Sequence, residues 1–289
     1  MKSSSVQLGR EHYFVPQPSL YPVILSLGMF LLALGFIQLI NGYTRGQWVM
    51  FGGLAVILYV LFGWFGRVIS ESQSGAYRDW EDISFRYGMI WFIATEVMFF
   101  AAFFGALFYI RVISVPDLAG MVGAHGTSLW PEFTGIWPTS GPKGPSFTPM
   151  GAWGIPSLNT AILLSSGATV TWAHWGLLRN KRTQLNLGLA ATVLLGCLFI
   201  GFQAYEYHHA YTELGLTMGA GAYGATFFML TGFHGFHVTL GTIMLAVILL
   251  RSLGGHFSPE RHFAFEGVAW YWHFVDVVWL VLFVFVYWV

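Results

Sequence analysis

Seven long apolar runs determine what this chain can fold into. They lie at about 23–40, 48–66, 86–112, 156–178, 186–207, 222–250 and 265–288. A helix of about twenty residues crosses the hydrocarbon core of a bilayer and satisfies all of its own backbone hydrogen bonds. No run has the alternating pattern of a barrel strand. The sequence therefore predicts an all-α integral membrane protein with seven transmembrane helices.

The composition agrees with lipid as the main solvent. Of the 289 residues, 56% are hydrophobic and 9% are charged, whereas an ordinary soluble domain has about 25% charged residues. A soluble fold of this size could not cover its surface with so few charges. The formal net charge is zero, which argues against nucleic-acid binding because there is no basic excess to meet phosphates. The single cysteine, Cys197, lies in an apolar run and is interpreted as a small packing residue.

The segments between the runs include two with a distinctive composition. Residues 1–22 are polar and contain three prolines. They lack the short apolar core and small-residue cleavage site of a signal peptide, so an uncleaved N-terminal arm is predicted. Residues from about 113 to 155 are rich in Gly, Pro and Trp and predict a long outer loop. A loop of this length is either solvated or contacts a partner.

The basic residues predict the orientation in the membrane. An N-terminus on the inner side places ten of the thirteen Lys and Arg residues on that side. These ten are Lys2, Arg10, Arg67, Arg78, Arg86, Arg179, Lys181, Arg182, Arg251 and Arg261. Because inner loops carry the excess of basic residues, the N-terminus is predicted inside and the C-terminus outside.

Polar side chains inside the runs are the candidate functional residues. Glu96 lies in the middle of "WFIATEVMFFAAFFGALFYI", where a charged side chain costs about 2.5–3.5 kcal/mol. Burial favours the neutral form of such an acid. A neutral carboxyl group can join two helices by hydrogen bonds, or it can relay protons if further titratable groups lie above and below it. The residues alone leave both roles open.

Three other acids and several histidines lie in or beside the runs. Glu206 is near the outer end of its helix, in "FQAYEYHHA". In the last run, Glu266, Trp270, His273 and Asp276 follow at steps of four, three and three residues, which predicts a polar-aromatic stripe facing the bundle. His234 and His237 are one turn apart in "TGFHGFHVTLG".

The histidine pattern does not favour a metal or haem site in this chain. A copper site needs converging nitrogen ligands, and a membrane haem needs two histidines on facing helices at matched depth. The histidines are spread over four helices and several depths. They are His174, His208, His209, His234, His237 and His273. Structural histidines bonded to acids or to the backbone are the expectation.

Five segments together resemble one known family. "RYGMIWFIATEVMFFAAFF", "LNTAILLSSGATVTWAH", "QAYEY", "TGFHGFHVTLGTI" and "HFAFEGVAWYWHFVDVVWLVLFVFVYW" are similar to subunit III of the cytochrome c oxidases. The likeness is strongest from Arg86 to the C-terminus outside the long loop, and it continues more weakly through the first two runs. The motifs stand in the order of the family.

The resemblance implies a fold and a role. It implies a bundle of two helices at 23–66, an inner-side loop at 67–85 and a bundle of five helices at 86–289, with a V-shaped cleft that contains phospholipids. It implies a non-redox accessory subunit of a proton-pumping oxidase. Haem and copper are then in partner chains, and this chain contacts subunit I directly, with subunit II and small subunits in the same complex. It is expected to stabilise subunit I, to support proton uptake and to provide a route for oxygen.

The resemblance also implies roles for single residues. Glu96 matches an acid that reacts with hydrophobic carbodiimides in the family. Arg67 and Arg251 match basic residues that face lipid phosphate, as a cation at the inner headgroup level should. Glu206, His234, His237, Glu266, His273 and Asp276 are expected to be supporting intramembrane polar residues. No catalytic residue and no metal ligand is expected in this chain.

Some features depart from the family or leave alternatives open. Trp175 and the "LRNKR" stretch differ from the usual family pattern, and the loop after the third run is longer. The presence of the first two helices favours cytochrome c over quinol as the electron donor. A bacterial cytoplasmic membrane is preferred to a mitochondrial inner membrane. A free-standing transporter and a haem-binding electron carrier are the competing functions.

Overall fold

The computed structural model describes residues 14–120 and 130–288, and all of the long secondary-structure elements in these ranges are helices. Eight α-helices are described: α1 (Tyr21–Ile40), α2 (Gly46–Gln73), α3 (Asp79–Phe108), α4 (Val115–Leu118), α5 (Ile155–Leu178), α6 (Arg182–Thr212), α7 (Gly221–Leu253) and α8 (Phe263–Leu282). π-helical turns continue α3 through Tyr109–Ser114 and α8 through Phe283–Trp288. Most of the predicted N-terminal arm, with Lys2 and Arg10, and residues 121–129 of the predicted loop lie outside the described residues.

Six of the long helices are long and apolar enough to cross a membrane, by length and composition. These are α1, α2, α3 with its continuation to Leu118, α6, α7 and α8 with its continuation. The remaining long helix, α5, has 24 residues but includes Asn159 and several Ser and Thr residues. Many of those hydroxyl groups donate to the carbonyl three or four residues earlier, as Thr160 does to Pro156 at 2.8 Å. Such bonds satisfy the hydroxyl groups within the helix.

The predicted inner-side loop at 67–85 is mostly helical, which differs from the expectation. α2 continues to Gln73 and α3 begins at Asp79, so only residues 74–78 connect them. The predicted helices end where the apolar residues end. A helix needs an apolar face only where it is in lipid, so charged residues can extend it beyond the bilayer. Likewise, α3 and its continuation reach Leu118, about six residues into the predicted outer loop.

The chain divides into two compact units, Met1–Phe85 and Arg86–Val289, with the boundary inside α3. In the first unit, α1 and α2 pack backbone to backbone. A Cβ atom on Gly35 would collide with the Met50 backbone, and one on Gly53 with the Leu32 backbone. Small residues at such positions let membrane helices approach closely and gain van der Waals contact.

In the second unit, α8 is the most buried helix. Trp272 and Trp279 are fully buried, and their indole N–H groups donate to Ser166 (2.8 Å) and Thr160 (2.9 Å) of α5. Trp272 also fills the space left by Gly196 of α6 and Gly241 of α7. The core of this unit is therefore built around the aromatic side chains of α8.

The described part of the outer loop packs on its own chain. The Tyr223 N–H at the start of α7 donates to the Thr139 carbonyl at 3.0 Å. The Tyr223 ring stacks on Phe147 at 5.3 Å and meets Trp137 edge-on at 5.6 Å. Gly221 has a φ of +78°, and a side chain there would collide with Ser140. The aromatic residues of this segment thus cover the N-terminal end of α7.

Candidate functional site

Glu96 of α3 pairs with His237 of α7. The Glu96 Oε2 atom lies 2.9 Å from the His237 Nε2 atom. The side chain of His237 is 9% exposed and that of Glu96 is 21% exposed. The acid that raised the question in the sequence therefore has a partner at membrane depth, on a different helix.

The other nitrogen of His237 fixes how the proton is shared. The Nδ1 atom lies 2.6 Å from the Phe233 carbonyl oxygen, and a carbonyl can only accept, so Nδ1 carries a hydrogen. In a neutral imidazole, Nε2 is then the acceptor and Glu96 is the donor. The alternative is an imidazolium that donates to a carboxylate. In both arrangements, a single proton lies between Glu96 Oε2 and His237 Nε2 and forms the hydrogen bond that joins them.

Aromatic rings surround this pair. Phe100 meets the His237 ring edge-on at 5.1 Å, and Tyr271 of α8 stacks on it at 6.3 Å. Phe99, one turn after Glu96, packs on Phe233 at 5.0 Å. These contacts leave an apolar environment, in which a neutral hydrogen-bonded pair is favoured over separated charges.

His234 is in a different environment from His237. It is fully buried, stacked on Trp279 at 5.1 Å and edge-on to Phe199 at 5.7 Å. Neither ring nitrogen has a hydrogen-bond partner in the part of the chain that the structure describes. One turn of helix thus separates a paired histidine from one enclosed by aromatic rings.

Glu206 of α6 pairs with the C-terminal segment. The Tyr287 hydroxyl donates to Glu206 Oε1 at 2.6 Å, and Glu206 is 1% exposed. The neighbouring Tyr207 shares a hydrogen bond of 2.6 Å with Thr231 of α7. The "QAYEY" segment therefore joins α6 to two other elements of the second unit.

Glu266 at the start of α8 forms an ion pair with Arg86 in α3. The Arg86 Nη1 and Glu266 Oε2 atoms are 2.5 Å apart. His262 Nε2 lies 4.0 Å from the same oxygen, and the His262 ring is 5.5 Å from the ring of His174 in α5. This cluster connects α3, α5 and α8 at one end of the second unit.

The predicted polar stripe of α8 is not uniformly buried. Asp276 is 7% exposed, but the side chain of His273 is 46% exposed. The prediction that the whole stripe faces the bundle is therefore wrong for His273.

The two predicted lipid-binding arginines have different surroundings. Arg67 lies within α2, where its Nε donates to Glu71 at 3.2 Å and its Nη2 to Gln17 at 3.3 Å. Arg251, near the end of α7, lies over the Phe257 ring at 4.7 Å. Its Nε atom has no hydrogen-bond partner among residues 14–120 and 130–288. Arg67 is thus paired with a carboxylate, whereas Arg251 packs on an aromatic ring.

Tyr77, between α2 and α3, also belongs to the Arg67 cluster. Its hydroxyl donates to Glu71 Oε2 at 2.8 Å. Burial and the hydrogen bond to this carboxylate raise the pKa of the Tyr77 hydroxyl, so it remains a donor over the physiological range. Glu71 thus accepts from both Arg67 and Tyr77.

The structure brings the predicted residues together in pairs. Glu96 and His237 form one pair, and Asp276 and His273 lie 3.7 Å apart. Glu206 and Glu266 each bind a residue that the sequence analysis did not select, Tyr287 and Arg86. Both partners lie in segments that carry the family resemblance, but each is far in sequence from its acid, so the motifs do not indicate the contact. An acid at membrane depth indicates that a partner is needed, but not which residue it is.

In the described ranges, no group of three or more His, Cys, Asp or Glu residues is arranged to bind a metal ion. His237 uses both nitrogens on Phe233 and Glu96, and aromatic rings pack against His234. Neither of these two histidines is therefore placed to bind haem or copper.

Comparison with known proteins identifies the family. The family model for cytochrome c oxidase subunit III matches residues 11–289. Cytochrome c oxidase subunit 3 of Marchantia polymorpha is 45% identical over 285 residues, 98% of each chain. The Arabidopsis thaliana protein of the same name is 43% identical over 98% of each chain, and that of Cyprinus carpio is 40% identical over 96% of each chain. This integral membrane chain belongs to the cytochrome c oxidase subunit III family, and thus to the oxidase complex.

Proposed function

We propose that the chain is a non-redox accessory subunit of a proton-pumping cytochrome c oxidase. It stabilises the catalytic subunit I, binds phospholipids, and supports proton uptake and oxygen access during aerobic respiration. The observation that supports this proposal is that the polar side chains at membrane depth bind one another. Glu96, Glu206 and Glu266 each bind a side chain on another element of the second unit. Groups used in this way join helices and leave electron transfer to the haem and copper of partner chains.

In this proposal, Glu96 is a structural acid. Its bond to His237 removes most of the cost of placing a carboxyl group in hydrocarbon, because neither partner is left as an isolated charge. A proton relay would need further titratable groups in line with it. Three phenylalanine rings, of Phe99, Phe100 and Phe236, lie against the His237 ring and can carry no proton, and Tyr271 is the titratable ring beside it.

The lipid-binding role is assigned to Arg67 and Arg251 at the inner headgroup level. A guanidinium group near the end of a membrane helix attracts lipid phosphate. The Arg251 guanidinium lies over the Phe257 ring, whereas Arg67 shares its charge with Glu71. We expect Arg251 to bind phosphate directly. Arg67 and Glu71 together can bind a zwitterionic headgroup, with its phosphate on Arg67 and its cationic group on Glu71.

The proposed topology has seven transmembrane helices, with the N-terminus inside and the C-terminus outside. In this topology α5 crosses the membrane with the six more apolar helices, because its Ser and Thr hydroxyls are bonded within the helix. The proposed organisation is a two-helix bundle, a five-helix bundle and a lipid-filled cleft. The membrane is proposed to be bacterial, and the direct partner is subunit I.

Purification in a mild detergent tests the proposed function. We expect the chain to co-purify with haem-bearing subunits in a fixed ratio, and to show no Soret band once separated from them. A free-standing transporter would purify alone, and a haem-binding carrier would retain a stoichiometric Soret band by itself. Either result would contradict the proposal.

A further inference from the structure

Two contacts fix the register in which α5 and α6 pack antiparallel. A Cβ atom on Gly188 of α6 would collide with Ala173 of α5, and the hydroxyl oxygens of Thr169 and Thr192 lie 2.8 Å apart. Each residue of an α-helix advances the chain by about the same 1.5 Å. The register at these contacts therefore extends to the residues beyond them.

This register brings Asn159 of α5 to the level of Gln203 of α6. They lie ten and eleven residues beyond Thr169 and Thr192, about three turns of helix. Both side chains belong to the buried faces of their helices. Neither amide group has a hydrogen-bond partner among the residues that the structure describes. Two buried amides thus lie at one level of the helix interface, each with its donor and its acceptor unpaired.

Glu206 adds an unpaired oxygen beside these amides. It follows Gln203 by three residues, so the two side chains lie on the same face of α6. The Tyr287 hydroxyl donates to Glu206 Oε1 at 2.6 Å, whereas Oε2 is buried and has no partner in residues 14–120 and 130–288. The carboxyl group is therefore half satisfied.

His234 of α7 lies near the same level. Tyr207 of α6 shares a hydrogen bond of 2.6 Å with Thr231 of α7. In these antiparallel helices, Gln203 is one turn before Tyr207 and His234 is about one turn after Thr231. His234 is fully buried, and both of its ring nitrogens are unpaired within the described part of the chain.

Water is the molecule that fits these groups. The four side chains present amide, carboxyl and imidazole groups, which together include donors and acceptors. Lipid chains cannot bind them, because they carry no hydrogen-bonding group. Buried polar groups without partners destabilise a fold, and a buried water makes about three hydrogen bonds to such groups.

We propose that Asn159, Gln203, Glu206 and His234 form a buried water site, which we call the α5–α6–α7 water site. About one or two ordered waters accept from the amide N–H groups and donate to the amide and carboxyl oxygens. The water joins helices through side chains that do not reach each other directly. All four residues lie in the second unit, so the site does not depend on the partner chain of the proposed function.

An electron cryomicroscopy map of the purified oxidase complex, at a resolution that shows ordered water, tests the site. We expect density for water at hydrogen-bond distance, about 2.7–3.2 Å, from at least two of the four side chains. A direct hydrogen bond between Asn159 and Gln203, a metal ion in place of water, or no density between these side chains would overturn the proposal.

The variant Gln203→Met tests whether the water depends on the amide. Methionine has nearly the same length but neither a strong donor nor a strong acceptor, so we expect the water that bridges to Asn159 to disappear from the map. Gln184→Met is the matched control in the same helix. The Gln184 amide donates directly to the Trp172 carbonyl at 2.8 Å, so this variant should keep the water. Water retained in Gln203→Met, or lost from both variants, would contradict the site.

A double variant tests whether the two amides share the water. Asn159→Leu and Gln203→Met each leave the other amide unpaired, whereas the double variant removes both. We expect the double variant to lower the thermal unfolding temperature by less than the sum of the two single effects. Additive effects would show that no water bridges the two side chains. If a single variant fails to assemble, the map of the unaltered complex still decides the proposal.

Discussion

At the scale of single residues, the acids of this chain are accounted for by their partners. Glu96 would be costly in hydrocarbon as an isolated charge, but His237 shares a proton with it at 2.9 Å. The Phe233 carbonyl orients the imidazole ring by accepting from Nδ1 at 2.6 Å. The pair is therefore set by three residues on two helices, and each of them can be tested separately.

Replacement of Glu96 distinguishes a neutral pair from an ion pair. Glu96→Gln retains a group that can donate to His237 Nε2, so we expect nearly unchanged stability. Glu96→Ala leaves His237 Nε2 without a partner and should lower the free energy of unfolding by about 1–3 kcal/mol. Thermal unfolding of the purified complex measures both variants. A glutamine variant as unstable as the alanine variant would instead indicate an imidazolium that needs the carboxylate charge.

Replacement of Arg251 tests lipid binding. Arg251→Ala removes a guanidinium group near the end of α7, where a cation attracts lipid phosphate, so we expect fewer phospholipids retained per complex in mass spectrometry. Arg179→Ala, at an exposed position just after α5, is the control and should retain the full number. Unchanged lipid content in Arg251→Ala would refute a lipid-binding role for this residue.

At the scale of helices, the sequence predicts the elements well and their ends less well. The apolar runs at 156–178 and 222–250 correspond to α5 at Ile155–Leu178 and α7 at Gly221–Leu253. The extension of α2 to Gln73 could not be read from hydropathy, because Glu71 and Arg67 stabilise that end through an ion pair at 3.2 Å. Polar pairing along a helix leaves no apolar signal in the sequence.

The packing of α1 on α2 depends on glycines, and this leads to a prediction. Gly35→Ala places a methyl group against the Met50 backbone, so the two helices must separate, at a cost of about 1–3 kcal/mol. Gly52→Ala, next to Gly53 in α2, meets nothing within 4 Å and is the control. We expect the thermal unfolding temperature to fall for Gly35→Ala alone. Equal unfolding temperatures would show that the helices do not need this close contact.

At the scale of the whole molecule, Glu96, Glu206 and Glu266 of the second unit each contact a side chain on another helix of that unit. Residue types and depth were enough to select Glu96, Glu206 and Asp276 as candidates. Their partners could not be selected, because a pair such as Glu206 and Tyr287, 81 residues apart, is created only by the fold. The exposure of His273 also depends on how α5 packs on α8, which periodicity along one helix does not report.

The central claim is that this chain stabilises a catalytic partner and carries no electrons itself. Oxygen consumption by the purified oxidase, with this chain present and after its removal, measures this over repeated turnover. Because the chain is proposed to support proton uptake and oxygen access but carries no electrons, we predict a lower but substantial initial rate and a shorter active lifetime without the chain. Both should recover when the chain is added back. A depleted oxidase that is inactive from the first turnover, or one that lasts as long as the intact complex, would contradict the account.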